Sequence, residues 1–137
     1  MESSRVTSII LTVLSYVLTT FVVQAISHFV INVEHYRTIT YLRPEPIFAL
    51  GVLSMIIQGT VFGFLFPVFN QTGSPVRNGL LFSWTLGAFL ASYIVLGEAG
   101  KEAIPSVAAW VRVEFLAAAA QFTIFGVLLG LVNRRRA

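Results

Sequence analysis

The stretch VTSIILTVLSYVLTTFVVQAISHFVINV, Val6 to Val33, carries no Asp, Glu, Lys or Arg and is dominated by Val, Ile, Leu and Thr. A helix on the surface of a soluble protein sets an apolar stripe against a charged face, and this stretch has no charged face. It exceeds the roughly 20 apolar residues that cross a bilayer. β-Branched residues are weak helix formers in water. In hydrocarbon, however, every backbone N–H and C=O must be paired within its own segment, which enforces the helix. Three more uncharged stretches follow: Pro46 to Val76, Asn78 to Gly97 and Phe115 to Asn133. The sequence therefore predicts an all-α integral membrane four-helix bundle, one transmembrane domain over residues 1–137, with helices at about 6–31, 46–69, 78–96 and 106–132.

Composition agrees. Of 137 residues, 56% are hydrophobic and 11% charged, about half the charged share of a soluble domain, and the mean hydropathy is +0.83. The apolar run after Arg5 extends far past a 7 to 15-residue signal-peptide core and ends without a small-x-small cleavage site, so a retained helix is expected. The absence of cysteine excludes disulfides, thiolate metal centres and thiol nucleophiles. The chain also has no Asp, no Gly-x-Ser-x-Gly elbow and no Gly-rich phosphate loop, which excludes soluble-type hydrolases and nucleotide enzymes.

Charge is concentrated at the ends of the spans. Arg134, Arg135 and Arg136 make up a third of the nine Lys and Arg residues and directly follow an apolar run. In that position they set topology or meet anionic lipid, and no nucleic-acid partner is expected. Four crossings place Arg5, Arg77 and Arg134 to Arg136 on one side, against Arg37, Arg43, Lys101 and Arg112 on the other. Both termini are expected on the cytoplasmic side of a bacterial or archaeal cytoplasmic membrane, with the polar Asn32 to Glu45 connector outside. Of the six glutamates, only Glu2 then lies inside. Pro46 is expected to open the second helix, Pro67 to kink or stop it, and Trp110 to sit at headgroup level.

Three glutamines, Gln24, Gln58 and Gln121, fall several residues from any charge in the first, second and fourth spans. An amide facing lipid is costly, so all three are expected to point inward, as an interhelical clasp or as the wall of a polar pocket. Gln24, His28, Asn32 and His35 follow one helical face, as do Glu114 and Gln121. His28, Arg112 and Glu114 form the candidate ligand group at the outer end, joined by the three glutamines, with Tyr36 or Tyr93 as further contributors. With no His-x-x-x-His or Glu-x-x-His pair, no metal site is expected. Gly79, Ser83, Gly87 and Ala91 repeat every four residues, and Gly59 with Gly63 and Gly126 with Gly130 share that spacing. Such faces serve close packing within the chain or a homo-oligomer interface.

In size and helix count the chain is similar to small four-helix multidrug transporters, which use a membrane-embedded Glu in their first helix. Here the first helix offers Gln24 and His28 and no acid. It is also similar in size to the small four-helix membrane enzymes of eicosanoid and glutathione metabolism, but lacks their charged helix motif. Three readings stand. One is a noncatalytic membrane module binding a lipid-soluble small molecule or a partner, alone, as a homo-oligomer or within a larger membrane complex. Another is a small transporter or channel with a polar path past the glutamines. The third is a membrane enzyme acting on a lipid-soluble substrate at the outer face. No cofactor is assigned.

Overall fold

In the computed structural model, which describes residues 2–134, the chain is all-helical and contains four helices long and apolar enough to span a membrane. Arg135 and Arg136, on which the expected orientation partly rests, lie outside the described residues. The first span is α1, Glu2–Ile26, continued by a π-helical turn, Ser27–Ile31. After Asn32 the connector begins with a short helix, α2, Val33–Arg37. The second span is α3, Phe48–Phe69. The third is α4, Pro75–Ala91, running through a second π turn, Ser92–Gly97, into α5, Glu98–Lys101. The fourth is α6, Val107–Val132.

The helix limits differ from the expected ones for identifiable reasons. The second span starts at Phe48, not Pro46, because Ile47 is non-helical at φ −83°, ψ 85°. Pro67 lies in its last turn, and the helix stops at Phe69. The third span starts at Pro75, where Ser74 accepts the Arg77 N–H and the proline occupies the first turn, a position in which its missing donor costs nothing. It reaches Lys101, beyond the expected Leu96. It is therefore 27 residues long against 22 for the second, so the second span is the shortest. Arg77 and Glu98, which flank the uncharged stretch Asn78 to Gly97, are inside it. For the fourth span, Ser106 accepts the Ala109 N–H at 3.3 Å, and the helix starts just after Pro105, as the spacing predicts.

The bundle consists of two intimate pairs, α4 on α6 and α1 on α3, joined by α1 against α6; α3 and α4 touch only sparsely. Close approach comes from glycine. A Cβ on Gly79 would run into the backbone of Gly126 and Gly130, and one on Gly130 into the backbone of Pro75 and Val76. Ser83, fully buried, donates to the Phe122 carbonyl at 2.7 Å. Gly59 and Gly63 bring α3 onto Val13 and Ile9 of α1. The small-residue faces at Gly79, Ser83 and Gly87 are thus turned to α6 within one chain, which leaves them no room to receive a second copy.

Two cores lie at different heights. In the half of the bundle nearer the termini, Tyr16, Phe62, Phe66, Phe82, Phe122 and Phe125 interleave with Leu129, and Tyr16 meets Phe125 edge-on at 4.8 Å. At the connector end, Tyr36, Ile39, Val95, Trp110 and Val113 form a smaller cluster. Trp110 is turned inward: it is 5% exposed, and its Nε1 donates to the Val95 carbonyl in the second π turn at 3.1 Å. A π turn widens the helix and redirects its carbonyls. The first part of the connector, through Ile39, is accordingly folded as a cap on the bundle, whereas residues 43–47 are exposed.

Candidate functional site

Between the two cores lies a cavity of about 360 Å³, walled by α1, the connector, α3, the third span and α6. Five of the six residues expected to form a ligand site line it: Gln24, His28, Gln58, Glu114 and Gln121. Gln24 Nε2 donates to Gln121 Oε1 at 3.2 Å, joining α1 to α6. Gln58 takes a different partner. Its Oε1 accepts the Tyr16 hydroxyl at 2.6 Å, and its Nε2 donates to Ser54 Oγ at 3.1 Å. All three amides therefore face the interior, as two separate links.

At the connector end, Tyr36 organises the polar groups. Its hydroxyl donates to Glu114 Oε1 at 2.6 Å, and its ring stacks on the His28 imidazole with centroids 3.6 Å apart. Ser27 Oγ lies 3.4 Å from the same hydroxyl and accepts from Asn32 Nδ2 at 3.0 Å. Burial, and then the hydrogen bond to Glu114, push the Tyr36 phenol well above its ordinary pKa, keeping it protonated as a donor. The first π turn explains the placement. Ser27 O accepts the Asn32 N–H at 2.9 Å in an i,i+5 bond, so the face carrying Gln24 and His28 is not continued to His35 at ordinary helical pitch. His35 instead packs edge-on to Tyr36 and near Trp110, and its buried Nε2 has no protein partner.

Arg112 does not join this group. Two residues from Glu114, it projects from another face of α6, is exposed, and borders a separate groove between α1 and α6. A helical step of about 100° per residue puts positions two apart on opposed faces. Glu114, 8% exposed, consequently has no cationic side chain in salt-bridge contact; the described ion pairs are Arg37 with Glu34 and Lys101 with Glu98. Tyr93 is exposed on the outer surface and takes no part in the cavity.

Tyr16 is foremost among the wall residues absent from the sequence-based set. Tyr16 is 1% exposed, and the buried Thr20 hydroxyl has no protein partner. A signal for Tyr16 existed: a phenol in the middle of an uncharged span must find an acceptor, and Gln58 occupies the corresponding depth of the next span. The α3 wall, by contrast, is open. No residue from Phe48 to Gln58 is buried, whereas Gly59, Phe62, Gly63 and Phe66 below them are. Gly51, Ser54 and, across the gap, Ile94 line the cavity while exposed on the membrane side. The mouth is therefore lateral, between α3 and the third span.

Chemically, the cavity offers amide, hydroxyl, imidazole and carboxyl groups beside the aromatic faces of Tyr16, Trp110 and Phe122. It can bind a polar end while an apolar remainder leaves through the mouth. Among the described residues, no group of three His, Cys, Asp or Glu could hold a metal ion. The fold and cavity define an integral-membrane four-helix bundle with a polar chamber opening sideways. No family model, curated protein or solved structure matches this chain.

Proposed function

We propose that the protein is a noncatalytic binding module of the cytoplasmic membrane that holds a lipid-soluble small molecule, polar end inward, in the cavity between α3 and the third span. The observation that carries this reading is the convergence of Gln24, Gln58, Gln121, His28 and Glu114 on one chamber with a mouth on the membrane side. Buried polar groups ordinarily satisfy one another; here the Thr20 hydroxyl has no protein partner, and a ligand can serve it. A continuous channel is the weaker alternative, because the rings of Tyr16, Phe62, Phe122 and Phe125 fill the bundle on the terminus side of the chamber.

The test is native mass spectrometry of protein extracted with minimal delipidation, comparing wild type with Ser54→Trp, which blocks the mouth, and Glu114→Gln. The reading expects a bound small molecule in the wild type that is lost from Ser54→Trp and weakened in Glu114→Gln, with Ser54→Trp destabilised by no more than about 1 kcal/mol, the scale of the Gln58 contact it removes. Equal retention in both variants, or none in the wild type, sinks it. We also infer that both termini are cytoplasmic and the connector is external, supported by the Arg distribution. Cysteines at Thr72 and Thr40, both exposed, should then label from opposite sides with a membrane-impermeant reagent, Thr40→Cys from outside.

A further inference from the structure

On the far side of α6 from the chamber, α1 and α6 enclose a second groove of about 570 Å³. Its floor and walls are Val23, Ile26, Ala117 and Ala120, and one end carries Asn32 and Arg112. Arg112 is exposed and makes no ion pair or hydrogen bond among the described residues. It lies at the connector end of the span, whereas Ala120 is eight residues deeper, about 12 Å along the axis at 1.5 Å per residue. The alanines create the trough, because Leu116 and Ile31 beside them stand out from the surface at 61% and 71% exposure.

We propose that this groove binds one anionic phospholipid, its phosphate on Arg112 and an acyl chain lying along Ala117 and Ala120. A guanidinium at membrane depth needs either water or an anion, and its planar fork pairs with phosphate oxygens bidentately. The Asn32 amide, at the same end, has one N–H committed to Ser27 Oγ and keeps the other for the same headgroup. Glu114, the nearest acid in sequence, faces the opposite cavity and donates nothing to this side. Charge complementarity with an anionic headgroup and an apolar trough of chain length thus occur in one place.

The test uses the full chain in nonionic detergent with equimolar dioleoyl phosphatidylglycerol and dioleoyl phosphatidylcholine, with glycerol 3-phosphate as a chainless probe, and counts retained molecules by native mass spectrometry. One phosphatidylglycerol is expected, favoured about fivefold over phosphatidylcholine, the scale of one basic residue at an anionic surface; glycerol 3-phosphate is not retained. Arg112→Gln brings the two lipids to parity. Ala120→Leu, which fills the trough at an exposed position, reduces retention of both. Since Arg112 is exposed and unpaired, unchanged thermal unfolding of Arg112→Gln separates lipid loss from misfolding. The proposal is overturned if the preference survives Arg112→Gln, if Arg77→Gln at the opposite membrane face abolishes it instead, or if the chainless phosphate binds equally well.

Discussion

The two halves of this bundle lie in the same hydrocarbon and are built on the same four helices, yet one is solid and the other hollow. In the half nearer the termini, glycine allows backbone contact between α4 and α6 and between α1 and α3, and aromatic rings fill what remains. In the connector half, both π turns widen their helices, α3 has no buried residue before Gly59, and amides replace rings. Lipid offers no hydrophobic drive for helix association, so helices approach only where small residues permit dense packing or polar groups pair. Gly51 illustrates the contrast. It is as small as Gly79, but a Cβ there would meet nothing within 4 Å, so smallness without a facing backbone holds nothing together.

The sharpest way to break the comparison is to place the same insult in both halves. Gly126→Ala drives a Cβ into the backbone of Leu80 and Gly79 and should cost about 2 kcal/mol or more, within the range of overpacking. Gly51→Ala, facing open space, should change stability by less than about 1 kcal/mol, in the stabilising direction through reduced unfolded-state freedom. Thermal or denaturant unfolding in detergent measures both. Equal destabilisation would mean that the halves are packed alike.

A middle-sized effect probes the chamber itself. Gln121→Leu removes the acceptor of Gln24 and should destabilise by about 1 kcal/mol, on the scale of intramembrane polar contacts. Adding Gln24→Leu should recover part of that loss, because two apolar partners leave no stranded amide. Ser83→Ala in the solid half deletes a donor to a carbonyl but strands no side chain. It should cost a similar amount or less, and no second substitution can rescue it. If the double glutamine variant is worse than Gln121→Leu alone, the link is not the reason these amides face inward.

The solid half was the more legible in sequence. Uncharged length gave the four spans, and repeats at Gly79, Ser83 and Gly87 marked where helices meet, because both signals are local and carry the helical period. Absence of charge understates the third span, because a helix carries charge where its ends reach water; Ser74 with Pro75 is the better guide to its start. The hollow half was read only in part. Inward glutamines and the pairing of His28 with Glu114 in one chamber followed from the cost of polar groups in lipid, whereas Arg112 was grouped with them by depth although its helical phase pointed elsewhere. Neither π turn has a periodic signature, so Tyr36 between His28 and Glu114, and the burial of Trp110 beneath the connector, needed the folded chain.

The smallest expected effect concerns how the cap is held on the hollow half. The Tyr36 phenol donates to Glu114, with Ser27 beside its hydroxyl and the rings of His28 and His35 against its own. Burial, and then the hydrogen bond to Glu114, raise its pKa above the ordinary tyrosine value. A group that binds its proton more tightly when folded contributes stability that is fully present below its unfolded pKa, about 10, and lost as pH rises through the folded one. Tyr36→Phe keeps the ring stack but leaves Glu114 without its donor, so at pH 8 the variant should unfold slightly more easily, by about 1 kcal/mol. Above about pH 10 the wild type begins to forfeit the protonated phenol while the variant has nothing there to lose, so the gap in melting temperature should narrow as pH rises. A gap that stays constant or widens between neutral and alkaline pH would mean that the hydroxyl does not hold the connector onto α6. The connector would then remain in place through Ile39, Trp110 and the other apolar contacts of its cluster.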